Sequence, residues 1–115
     1  MLMPSDIVEE VRSVLVNAHR GEWERPNFLT AYQVLERLPP STRETLIAER
    51  TIGGRGTGVS YSAVTVVAQA AALAGAIPEW LDCVGISVDV AGRKLTPGFE
   101  VCALFRLEPP RDEAP

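Results

Sequence analysis

Four glycines fall within six residues in Gly53-Gly54-Arg55-Gly56-Thr57-Gly58. Arg50 precedes the segment, and Ser60 or Ser62 follows as a helix start. Backbone N–H groups of a glycine-rich loop, joined to a helix N-terminus, hold anions. Arg50, Gly54, Arg55 and Gly56 are therefore the candidate site for an anion or phosphate-bearing ligand. No Lys follows the last glycine, so this is no phosphate-loop motif, and the spacing does not fit a dinucleotide fingerprint. The competing reading is a connector whose glycines allow close backbone approach to the helix it enters, and it weighs more.

Other chemistry is sparse. His19 is the single histidine, and its place after an apolar helical run suits a positive charge at a helix C-terminus. No Gly-x-Ser-x-Gly elbow is present. Cys83 and Cys102 are too far apart in sequence for a chelating motif. Glu9 and Glu10 point to different faces of a helix. No catalytic residue, metal or cofactor is assigned, and the chain is not expected to be an enzyme. Trp23 and Trp80 lie outside the strong helices, where tryptophan serves either as an interface anchor or as a lid on the core; the lid is favoured. Arg93 and Lys94 sit at an expected hairpin tip and complete the interaction candidates.

The elements that must position these residues belong to one domain. A chain of 115 residues with 46% hydrophobic and 23% charged residues fills a single core. Residues 1–108 are expected to fold as one α+β unit, with 109–115 a polar, proline-rich tail. The net charge of -4 argues against nucleic-acid binding by the domain as a whole, since phosphate neutralisation drives that affinity. Arg25, Arg37, Arg43, Arg50 and Arg55 make the middle of the chain locally basic. Ten arginines against the single Lys94 suggest a GC-rich bacterial genome. The start lacks a basic, apolar leader, and Ala63–Ile77 is too short to span a bilayer. With two cysteines making no disulfide framework, the expected location is the cytoplasm, away from membranes.

Pro4-Ser5-Asp6 with Glu9 reads as a capping box opening a helix over 6–20, its apolar face Ile7, Val11, Val14, Leu15 and Ala18, closed by Gly21. Asn27 or Thr30 opens a second helix, Thr30 with Gln33 forming a box, and Pro39-Pro40 ends it. Ser41 with Glu44 is read as a third start. Ala63–Ala74, alanine-rich and apolar nearly all round, is expected to be a buried central helix. The period then changes to two. A hairpin centred between Gly92 and Arg93 places Val90 opposite Leu95, Val88 opposite Pro97, Ile86 opposite Phe99 and Val84 opposite Val101, an all-apolar face against the helices. The same register sets Cys83 opposite Cys102.

The expected architecture is a four-helix N-terminal cluster packed on a C-terminal antiparallel hairpin or small sheet. Three helices followed by a hairpin resemble a winged helix-turn-helix in order of elements, with Arg93 and Lys94 at the wing. The helix in the recognition position, however, has no charged residue, whereas base reading wants Arg, Lys, Asn or Gln. The favoured function is a non-enzymatic module acting on a partner macromolecule, protein rather than nucleic acid. An accessory or inhibitor protein of a bacterial mobile element fits this description, and homo-oligomers are compatible with it. The alternatives are a winged-helix-like DNA-binding regulator and an anion binder using Gly53–Gly58.

Overall fold

The structure is a computed structural model that describes residues 1–21, 27–53 and 62–108. It has the expected α+β architecture. Four helices come first, α1 (Val8–Asn17), α2 (Ala31–Arg37), α3 (Pro40–Arg50) and α4 (Ala63–Leu73). A two-residue strand β1 (Leu29–Thr30) precedes α2. The last third holds β2 (Ile77–Asp82), β3 (Val88–Val90), β4 (Arg93–Leu95) and β5 (Val101–Arg106).

Local signals account for most helix ends. At α2 the expected box forms in full: the Thr30 hydroxyl accepts from the Gln33 N–H at 3.2 Å, and the Gln33 side chain accepts from the Thr30 N–H at 2.8 Å. Ser62 caps α4 through the Thr65 N–H. Two other starts differ from expectation, both because of proline. Pro4 opens a separate 3-10 turn (Pro4–Asp6), and the Asp6 carboxylate accepts the Met3 N–H at 2.8 Å instead of capping α1. Glu9 does not reach back; it pairs with Arg12 at 2.8 Å. Pro40, needing no N–H partner, takes the first position of α3. Ser41 is then already inside the helix, and no Ser41–Glu44 box forms.

The core gathers around α4, which packs on α1, α2 and α3. Val66, Val67, Ala70 and Ala71 are buried against Val11, Leu15, Val34 and Leu35. The helix is not enclosed all round, since Gln69, Ala72 and Leu73 face solvent. The segment before it approaches closely. Thr51 and Ile52 carbonyls accept the Ala63 and Val64 N–H groups at 2.9 and 3.1 Å. A Cβ on Gly53, whose φ is +113°, would lie 2.9 Å from the Ser62 hydroxyl oxygen. Gly53 is therefore a close-approach glycine.

The sheet corrects the expected pairing. β1, β5 and β2 form one antiparallel sheet with β5 central, and β3 and β4 form a second ladder. Asp82 pairs with Val101, and Val88 with Leu95. Five residues intervene on each arm (83–87 and 96–100), so both ladders belong to one interrupted hairpin. Its register is two residues from the expected one: Val90 faces Arg93, not Leu95. The turn is the two-residue Ala91-Gly92, with φ of +52° and +75°. Two positive φ values match the twist of tight hairpins, and that local geometry outweighs an all-apolar pairing. Neither Ile86–Phe99 nor Val84–Val101 forms a ladder pair, because Val84-Gly85 makes a turn closed by the Ile86 N–H on the Cys83 carbonyl. The face expected to pack on the helices is split. Val90 and Phe105 are buried, while Val84, Ile86, Phe99 and Val101 are exposed.

Candidate interaction surface

Strand β2 has a composition that works against strand formation, with Pro78, Glu79 and Asp82 among its six residues. Its hydrogen-bond phase explains how it forms. The Cys83 N–H donates to the Glu100 carbonyl at 2.7 Å just beyond the ladder. Bonded pairs alternate along antiparallel strands, so Leu81–Cys102 and Glu79–Leu104 exchange hydrogen bonds. Residues 78, 80 and 82 then direct their backbone groups away from β5. Pro78 therefore occupies a position whose N–H the ladder does not use, the usual setting of proline in an edge strand. The outward edge keeps the Trp80 and Asp82 N–H groups.

Large apolar side chains stand exposed around this edge. Trp80 is 70% exposed and Val101 51%, and the register places them diagonally on one face, Trp80 beside Ala103 and Val101 beside Asp82. Phe99 and Val84, 81% and 69% exposed, continue from the same end of the ladder. Burying a side chain of this size contributes about 1.5–3 kcal/mol, so these four exposed side chains are the candidate interaction surface. The surrounding charge is acidic. From Ile77 to Gly92 the chain carries Glu79, Asp82 and Asp89 and no Lys or Arg.

The residues singled out from sequence fall in different places. Trp80 belongs to this surface and is not a lid on the core. Arg93 and Lys94 are exposed on β4, in the ladder and not at the tip, with Lys94 directly opposite Asp89. Arg50 is on the last turn of α3, where its guanidinium donates to the Leu2 carbonyl at 2.9 Å and contacts the Met3 sulfur at 3.5 Å. Glu49 beside it accepts the Leu2 N–H at 2.9 Å. Together these side chains bind the first residues of the chain beside an open depression of about 640 Å³. Trp23, Gly54, Arg55 and Gly56 lie outside the described residues. The N–H groups of Ala63, Val64, Thr65 and Val66 are already bonded to Thr51, Ile52 and Ser62, which leaves the first turn of α4 no donor for an anion. Phe99 and Val101 were missed as surface residues, because their alternation with polar neighbours reads the same for an inward and an outward face.

Titratable groups are arranged for packing. His19 is 1% exposed, contrary to its expected role as a charged helix end. Burial holds its pKa below the ordinary value; a backbone hydrogen bond at Leu107 opposes that effect and the nearby Arg106 charge adds to it. The Tyr32 hydroxyl accepts the Gly98 N–H at 3.1 Å. Burial raises its pKa, and the Cys102 and Cys83 thiols add to the rise. Cys102 does not face Cys83 across the ladder; it faces Leu81, which makes the two cysteines diagonal neighbours. Both are free thiols. Burial, with the Cys83 thiol beside it, pushes the Cys102 pKa up to about 12, so this thiol stays protonated at neutral pH and is a poor nucleophile.

Among the described residues, no group of three or more His, Cys, Asp or Glu side chains could hold a metal ion, and no helix is long and apolar enough to cross a membrane. No family model, curated protein or solved structure matches the chain.

Proposed function

We propose that this chain is a non-enzymatic binding module that engages a partner protein through the exposed apolar surface of β2 and β5. The observation that carries the reading is the joint exposure of Trp80, Val84, Phe99 and Val101 along one end of the sheet. Aromatic side chains dominate the energetics of protein interfaces. Protein is favoured over nucleic acid because the segment carrying half of this surface is acidic, and phosphate contacts require Lys and Arg. The solvent-facing part of α4, Gln69, Ala72 and Leu73, likewise offers little for base reading. The cytoplasm is the proposed location, since two cysteines make no disulfide framework of the kind small secreted domains rely on.

The test is co-purification from the native host with wild type and with W80S/F99S. Both side chains are exposed, so the variant is expected to keep its circular dichroism spectrum and melting temperature while losing its bound protein. Retention of the same partner by a folded W80S/F99S protein would contradict the proposal.

A further inference from the structure

We infer that the partner adds an extended, basic and apolar strand to the open edge of β2. The inference rests on the binding-module reading and specifies its geometry. Among the described residues β2 is the outer strand of its sheet, because β5 pairs on one side with β2 and on the other with β1. Pro78, Glu79, Trp80 and Asp82 are all exposed. The ladder phase fixed by the Cys83–Glu100 bond directs the Trp80 and Asp82 N–H groups, with the carbonyls of 78, 80 and 82, out along this edge. An edge with free N–H and C=O groups templates another strand, and peptide recognition by strand addition takes affinity from those groups and specificity from alternate side chains.

Charge decides the occupant. Glu79 and Asp82 lie on the edge strand, Glu100 lies beside its end, and no basic residue occurs between Ile77 and Gly92. A second copy pairing β2 with β2 would bring these carboxylates together, and like charges across strands destabilise the pair. A strand with Lys or Arg on the face of Glu79 and Glu100 and aliphatic residues on the other matches these carboxylates and meets Trp80 and Val101. Pro78 lacks an N–H, so pairing is expected to be strongest from Trp80 onward.

The test is amide exchange measured by NMR on the full chain with three synthetic ten-residue peptides. The first alternates Val and Lys, the second Val and Glu, and the third is the first with alternate backbone nitrogens methylated. At about ten times its Kd the Val–Lys peptide is expected to slow Trp80 and Asp82 amide exchange about tenfold, and the other two are expected to leave it unchanged. E79K should weaken the Val–Lys effect. Equal protection by the Val–Glu peptide, or no protection of these amides by any peptide, overturns the inference. Protection that grows with protein concentration alone also overturns it, in favour of a second copy. Loss of a native partner by W80S/F99S while these amides stay unprotected overturns strand addition and leaves the binding-module reading intact.

Discussion

The Glu36 carboxylate, on α2, accepts the backbone N–H of Ala91 at 2.6 Å, joining the hairpin turn to a helix 55 positions earlier. The same carboxylate lies 3.6 Å from Arg43, whose guanidinium also donates to the Glu36 carbonyl at 3.0 Å. One side chain thus ties the turn to both α2 and α3. Hydrogen bonds to charged groups contribute about 1.5–3 kcal/mol, and partial exposure here reduces that figure. Glu36→Ala is expected to lower unfolding free energy by about 1 kcal/mol, and Glu36→Gln by less. Urea denaturation of the two variants checks this.

Ala91 itself has a left-handed backbone, φ +52°, which costs an L residue about 1–2 kcal/mol. Asparagine tolerates this region, and Asn-Gly is the preferred pair for such turns. Ala91→Asn should therefore raise the melting temperature, and Ala91→Val should lower it. Opposite signs from two substitutions at one exposed position are hard to obtain unless the turn is as described.

Gly53→Ala combines a disfavoured φ with a contact of 2.9 Å at the Ser62 hydroxyl that caps α4. Its effect should exceed that of Ser62→Ala, for which loss of a cap predicts about 1 kcal/mol. Calorimetry on both variants measures the difference.

His19 gives a pH dependence with a definite sign. Its folded pKa lies below the ordinary 6.5, so near that pH the unfolded chain binds the proton more tightly. The stability associated with neutral His19 is fully present above 6.5 and is lost as pH falls through the lower folded value. His19→Gln should flatten the urea midpoint between pH 7.5 and 5. A wild-type midpoint that rises on acidification across this range would contradict the burial assignment.

Cys83 and Cys102 should resist joining. Their thiols lie within hydrogen-bonding reach, but disulfide formation needs a thiolate, and Cys102, its pKa pushed up to about 12, stays protonated at neutral pH. Two titratable thiols per unfolded chain are expected after mild oxidation, and reagent attack on folded Cys102 should be slow at neutral pH.

The helices were legible because their signals are local. The Thr30–Gln33 box and the spacing of Ile7, Val11, Val14 and Leu15 each fit within a few turns of chain. The sheet depends on competition between distant choices. Apolar matching favoured Val90 opposite Leu95, and only the positive φ values of Ala91 and Gly92 shift that pairing by two residues. β2 was invisible because Pro78 and two acids oppose strand propensity, while the edge position that makes proline harmless depends on β5. Of the surface, Trp80 was a candidate by residue type. Phe99 and Val101 were not, since period two cannot distinguish a face turned to helices from one turned to solvent.

Site-specific photo-crosslinking distinguishes the β2–β5 surface from the helical face as the place where a partner binds. A benzophenone side chain at position 99, and in a separate protein at exposed Glu44 on α3, reports which surface meets a partner in the native host. A discrete protein adduct from position 99 and none from position 44 is the expected result. Adducts from position 44 alone, or nucleic acid in place of protein at position 99, would contradict the account.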